Sequence, residues 1–522
     1  MEIRNIRHIE KAVHFGQSEL LRIGIALLFI IGIMIYTGSG VGQVSGHIML
    51  VVAAVIGGYM ALNIGANDVA NNVGPAVGSK ALTMTGAILI AALFEASGSL
   101  IAGGDVVGTI KSDIINPEMI GDSNTFIWLM TAALLAGAIW LNLATALGAP
   151  VSTTHSIVGG VLGAGIAAGG ISIANWSTMG AILASWVISP VCGGVIAALF
   201  LFVVKRTIMY RKDMNQAAKQ MVPVLVGIMV WAFSTYLMIK GLKKIWKIEF
   251  GVAFVTGLLF GMVAYLLVRL VLTRRSEPLS NDKSSVNKLF TIPLIFAAAL
   301  LSFAHGANDV ANAVGPLAAI NDAILSGGVA KKASIPIWVM MVGALGIAIG
   351  LALYGPKLIR TVGSEITELD QSRAFCVAMA AAITVIVASQ LGLPVSSTHI
   401  AVGGVFGVGF LREYIKVSYA NMIAEIRHHH ADHDESTVNA FLKKFEKASV
   451  MERGFMLKDL KENSIKTGIT KKERKGLRRV HRIELVKRSS LMRIVLAWVV
   501  TVPASAVMGA MIFYTIRGML LP

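Results

Sequence analysis

Gly65-Ala-Asn-Asp-Val-Ala-Asn-Asn-Val-Gly-Pro75 returns as Gly306-Ala-Asn-Asp-Val-Ala-Asn-Ala-Val-Gly-Pro316, with one replacement. A match of that quality is an internal duplication. A second pair follows in the same order: Pro150-Val-Ser-Thr-Thr-His155 with Val158-Gly-Gly160, and Pro394-Val-Ser-Ser-Thr-His399 with Val402-Gly-Gly404. Working outward, apolar stretches that suit spanning or half-spanning helices occupy roughly 21–36, 48–64, 82–102, 126–148, 151–170, 178–204, 221–239, 250–268, 290–305, 335–354, 373–393, 395–410 and 491–516. Seven of them separate each motif from its second copy, an odd number, so the halves are expected to face opposite ways. That is the design of inverted-repeat membrane proteins, whose copies meet near mid-membrane. The stretches that start at Pro150 and Pro394 are short for a full crossing and read as re-entrant arms or halves of broken helices.

Composition agrees. Charged residues are 14% of the 522 and hydrophobic ones 55%, against about 25% charged in soluble domains. The expected fold is an all-α polytopic membrane protein of about 12 transmembrane helices, with inverted-topology repeats and broken or re-entrant helices. Its expected parts are 1–204, containing the first repeat at about 48–170; 205–288, basic loops around a central pair of spans; 289–410, the second repeat; 411–490, a polar, basic, His-containing cytoplasmic segment; and 491–522, a final span. The net charge of +17 falls between apolar runs, where cytoplasmic loops carry Lys and Arg, and does not indicate nucleic acid. Lys205, Arg206, Arg211, Lys212 and Lys219, and Arg269, Arg274, Arg275, Lys283 and Lys288, mark one cytoplasmic side. Cys192 and Cys376 lie in apolar runs and read as packing residues. No removable signal peptide is evident at the start.

An acid at membrane depth costs roughly 2.5–3.5 kcal/mol on insertion scales, so the duplicated Asp68 and Asp309 demand a reason. A bound cation supplies one. Asn67, Asp68, Asn308 and Asp309, with carbonyls freed near Gly65, Gly74 and Pro75, are hard-oxygen ligands of the kind Na⁺ prefers. Asn71 and Asn312 share a helical face with Asn67 and Asn308 and are candidates for the substrate side. The bland alternative is a structural cap. In the second motif, Pro is read at the first helical position, so free N–H groups, helix dipole and hydroxyls converge. Ser152, Thr153, Thr154, Ser396, Ser397 and Thr398 then make a cradle for a compact oxyanion, phosphate before sulfate. Local helix capping by the same hydroxyls is compatible with that role.

His155 and His399 are candidates for proton or substrate contact, or for helix–helix hydrogen bonds. Glu95, within an apolar stretch, is a second cation or proton candidate, or a packed acid satisfied by Ser97 or Ser99; alignment of the halves puts an apolar residue near Ile347 opposite it. Asp105 and Lys111 read as interfacial. His428, His429, His430 and His433 read as a solvated loop before a metal site, and the basic run 471–482 as a lipid-facing or retention charge. A Ser-to-His spacing of three residues raises an intramembrane serine hydrolase, but two equal copies without a nucleophile elbow argue against it.

The two motifs resemble the signatures of the inorganic phosphate transporter family of the Pit or Pho-4 type, over roughly 48–170 and 290–410. The resemblance implies secondary active phosphate transport with Na⁺ or H⁺. It carries phosphate contacts to the hydroxyls at 152–154 and 396–398, and cation contacts to Asn67, Asp68, Asn308 and Asp309. It also makes Glu95, in Phe94-Glu-Ala-Ser-Gly98, similar to a family acid important for transport. Ser397 in place of Thr153, and Ala313 in place of Asn72, depart from two-fold symmetry. The sequence thus leads to phosphate import by cation symport, Na⁺ before H⁺, with no enzyme activity and no cofactor beyond the coupling cation. The expected partners are phosphate, coupling cations, the lipid bilayer of the plasma or inner membrane, and a second copy of the chain. Another oxyanion such as sulfate, an anion channel, and the hydrolase are the rivals.

Overall fold

A computed structural model describes residues 2–40, 46–147, 151–241, 248–274, 281–326, 335–365, 369–429 and 488–520. Pro150, His430, His433 and the basic run 471–482 lie outside the described residues. The order is α1 (Glu2–Gly40), α2 (His47–Asn67), α3 (Ala70–Gly78), α4 (Met84–Ala102), α5 (Gly104–Gly108), a π-helical turn (Thr109–Asp113), α6 (Ser123–Ala146), α7 (Thr153–Gly169), α8 (Trp176–Val204), α9 (Met214–Gly241) and α10 (Phe250–Arg274). Then come α11 (Lys283–Leu289), α12 (Thr291–Asp309), α13 (Ala311–Ser326), α14 (Ile337–Glu365), α15 (Gln371–Gln390), α16 (Ser397–His429) and α17 (Arg488–Leu520). Thr83, Asp122, Asn175 and Asp370 accept backbone hydrogens as N-caps of α4, α6, α8 and α15, which is why those helices start there.

Among the described residues, 11 helical segments are long and apolar enough to cross a bilayer. Large side chains such as Leu27, Leu28, Leu259, Phe260 and Val263 stand exposed on α1 and α10, as lipid-facing surfaces require. Cys376 is buried packing as expected, whereas Cys192 lies on the exposed face of α8.

Several glycines of the repeats mark helix crossings. A Cβ on Gly98 of α4 would collide with the Phe303 carbonyl of α12, and one on Gly350 of α14 with the Leu62 carbonyl of α2. Such close approaches are how membrane helices gain packing energy without a hydrophobic drive. The partners are exchanged between halves: α4 packs on α12, and α14 on α2; α7 packs on α17, and α8 on α16. Residue register gives direction. Gly98, Ser99 and Gly103 meet Phe303, Gly306 and Val310 in turn, so α4 runs with α12. Leu317 instead packs over Gly57 and Ile324 over Gly46, so α13 runs against α2. The two copies of the first motif therefore approach the centre from opposite ends.

One expectation needs correction. Helix α7 starts at Thr153 with Ser152 as its cap, and α16 starts at Ser397, so Pro394 precedes the helix instead of occupying its first position. Lys111, read as interfacial, is 4% exposed and ion-paired with Asp322 of α13, and Asp105 is paired with Lys240 at the end of α9.

Candidate functional site

The break between α2 and α3 leaves Asp68 at the end of one helix, and the break between α12 and α13 does the same for Asp309. Both carboxylates are about 1% exposed. Between them stands the tip of α7. Thr153 Oγ1 lies 2.6 Å from Asp68 Oδ2 and 3.2 Å from Asp309 Oδ2. One hydroxyl hydrogen cannot serve two carboxylates at once, so a further positive charge is called for. From the other side Thr398 Oγ1 donates to Asp68 Oδ1 at 3.1 Å.

Amides feed these hydroxyls. Asn71 Nδ2 donates to Thr398 Oγ1 at 2.9 Å, while Asn312 Nδ2 donates to Thr153 Oγ1 at 3.0 Å and lies 3.3 Å from Thr154 Oγ1. Thr154 in turn donates to the Val395 carbonyl at 3.0 Å, so the opposed tips of α7 and α16 touch. Ser152 and Ser396 face their own helices, accepting from the backbone N–H of His155 and His399. The capping role anticipated for the hydroxyls is thus met by these two. Ser397 Oγ has no hydrogen-bond partner among the described residues. With the His155 and His399 N–H groups taken by the caps, the N–H groups of Thr153 and Thr154 in α7 and of Ser397 and Thr398 in α16, ahead of the first intrahelical bonds, point to where an anion would sit.

Asn67 and Asn308 hold the tips in place. Asn67 donates to Thr145 at 2.9 Å and accepts from Val151 N at 3.3 Å; Asn308 donates to Ser389 at 2.9 Å and lies 3.3 Å from the Leu393 carbonyl. His155 stacks on Trp186 with centroids 3.7 Å apart and meets the edge of His399 at 4.4 Å, one turn behind the hydroxyls.

The residue that sequence reading passed over is His305. Its Nδ1 lies 2.7 Å from Glu95 Oε2 and its Nε2 3.1 Å from Asp309 Oδ2, with both side chains of the Glu95 pair fully buried. Asn72 Nδ2 donates to the other Glu95 oxygen at 2.7 Å. His305 stands immediately before the duplicated stretch, where the first half has Ile64, and that departure was the available signal. Glu95 thus joins the acids through a histidine rather than touching them.

Asp68, His305 and Asp309 offer ligand atoms within 4.8 Å of one another. Asp309 Oδ1 and the amide oxygens of Asn71, Asn308 and Asn312 are buried without hydrogen-bond partners among the described residues. Buried acceptor oxygens beside two carboxylates suit a hard cation.

The profile of the phosphate transporter family matches residues 64–509. The chain belongs to that family. A Helicobacter pylori strain J99 protein named for phosphate permease activity is 52% identical over 523 residues, covering 98% of each chain. A Thermococcus kodakarensis protein named in the same way is 41% identical over 70% of this chain and 89% of its own. Among solved structures, the sodium-dependent phosphate transporter superposes with a TM-score of 0.72 at 31% identity, over 90% of this chain and all 100% of its own. A phosphate transporter family is not an enzyme family, and the Ser-to-His spacing that raised a hydrolase is a pair of helix caps. The membership also makes this a multi-pass membrane protein of phosphate transport.

Proposed function

We propose that this phosphate transporter imports inorganic phosphate by cation symport, with Na⁺ preferred over H⁺, through alternating access at the interface of the repeats. One observation carries the reading: Thr153 at the tip of α7 lies within 3.2 Å of both Asp68 and Asp309, while Thr398 at the opposed tip reaches Asp68. Two helix N-termini favour an anion, and two acids oppose one. A cation held by the carboxylates reverses that opposition, so anion and cation each bind weakly alone and strongly together. Phosphate would take the first-turn N–H groups and Ser397, with Thr153 and Thr398 turning toward it as cations relieve them of the acids. Asp68, Asp309, Asn308 and the oxygens of Asn71 and Asn312 would hold the cations. Moving a negative ion inward against an inside-negative potential costs about 2.3 kcal/mol per charge per 100 mV, which the cations offset. The sodium-dependent relative supports Na⁺ as the partner.

Purified protein in proteoliposomes tests this with labelled phosphate. The expected result is accumulation above equilibrium under an inward Na⁺ gradient, little competition from excess sulfate, and none with both gradients collapsed. Drive by a pH gradient alone would assign coupling to H⁺. Passive equilibration indifferent to cations would make the protein a channel and reject the proposal.

A further inference from the structure

Lys111 and Asp322 are a buried pair of charged groups that the transport site does not use. Lys111 sits in the π-helical turn after α5 and Asp322 late in α13; both side chains are at most 9% exposed and ion-paired with each other. The pair joins the first half of the chain to the second. Its neighbours make the same connection: Ile110 packs over Gly315, and Thr109 Oγ1 donates at 2.7 Å to the carbonyl of Gly392. Gly392 has φ +68° and leads directly into the tip of α16.

Helix α9 acts as a ruler for the pair's depth. Its first residue, Met214, bonds Asn281, which also bonds the Lys212 carbonyl at the end where Lys205, Lys283, Arg373 and Arg412 gather. Its far end carries Lys240, paired with Asp105 just before the π turn. Lys111 and Asp322 therefore lie at the Lys240 end of α9, where the loop carries Lys240, Lys243, Lys244 and Lys247 against the larger number of Lys and Arg at the other end, and by that difference in loop charge we take it as the outer end. On that side α13 packs against α2 and α6, whereas the π turn continues α4, which packs on α12. The π turn and α5 pack directly on α13, so the ion pair lies on the seam between those two assemblies. The place that matches Asp322 in the first half is Ala81, so the inner end has no counterpart of this ion pair.

A buried ion pair adds little net stability over apolar packing, and its best-attested use is to fix one arrangement against another. We propose that Lys111 and Asp322 are gate residues that hold the outer end of the site closed and separate once in each transport cycle. This rests on the alternating-access reading above.

The test uses full-length protein with Cys192→Ser and Cys376→Ala. In one arm, Lys111→Cys and Asp322→Cys are bridged by a short, reducible bis-methanethiosulfonate in proteoliposomes. Bridging should abolish labelled phosphate uptake and a reductant should restore it; uptake that persists through the bridge overturns the gate. In the other arm, Ile110→Cys reports opening of the seam to an impermeant maleimide added outside. Neutralising the pair as Lys111→Met with Asp322→Leu should raise its labelling rate at least about fivefold; an unchanged rate overturns the gate. The labelling arm needs no transport. Failure of the cysteine-replaced parent to take up phosphate would count against symport alone, and the labelling result would still decide the gate.

Discussion

At one crossing of the halves, Asn72 and His305 bond the two oxygens of Glu95 and His305 reaches on to Asp309. At the matching crossing the places are taken by Ala313, Ile64 and Ile347, all at most 1% exposed. The backbone makes no such distinction: Gly306 lies against the Glu95 carbonyl as Gly65 lies against the Ile347 carbonyl. Three replacements thus fall within one matching packing scheme, with the polar groups on one side of it only. The two acids are therefore unequal. Asp309 has an imidazole beside it, whereas Asp68 is held by two threonine hydroxyls.

The strongest blow to the comparison is at the acids themselves. Asp68→Asn and Asp309→Asn should each abolish cation-coupled uptake, by about two orders of magnitude or more, while the protein stays in the membrane. Each neutralisation removes a charge that a bound cation would meet at close range. Labelled phosphate uptake in proteoliposomes checks this; normal coupled uptake in both variants would remove the acids from the mechanism.

Next in size is the trio. Glu95→Ile alone leaves His305 with a lost partner in a dry site, and breaking a buried pair in this way costs roughly 3–5 kcal/mol. The triple variant Asn72→Ala, Glu95→Ile, His305→Ile copies the apolar corner of the other half. It should recover much of that stability in detergent melts without recovering uptake. A triple variant that transports normally would make the asymmetry ornamental.

Smaller effects should be the same on both sides. Gly65→Ala and Gly306→Ala each push a methyl into a facing carbonyl, so both should lower stability by about 1–3 kcal/mol. Unequal melting shifts would mean that the frame is less symmetric than its packing. Smallest are the caps, Ser152→Ala and Ser396→Ala, at about 1 kcal/mol each. If either removed phosphate affinity without changing the melt, its hydroxyl would be a ligand rather than a cap.

Much of this was legible beforehand. The spans, the duplicated motifs, the acids and the hydroxyl tips follow from local patterns, and alignment of the halves puts an apolar residue near Ile347 opposite Glu95, which the Gly65 contact then fixes as Ile347. His305 was not, because a single histidine just outside a repeat looks like any helix-packing residue until its partners at Glu95 and Asp309 are known. The partner of Lys111 was hidden for the same reason: hydropathy along one helix carries no information about an acid on another.

Sequence by itself determined that the chain crosses a membrane many times in two related halves, since insertion cost and duplication are properties of consecutive residues. Only the folded structure decided that Thr153 stands between two acids, that Glu95 answers to His305, and that Lys111 closes on Asp322. Each of those meetings depends on the register of helices hundreds of residues apart, and glycine-to-carbonyl contacts between helices set that register.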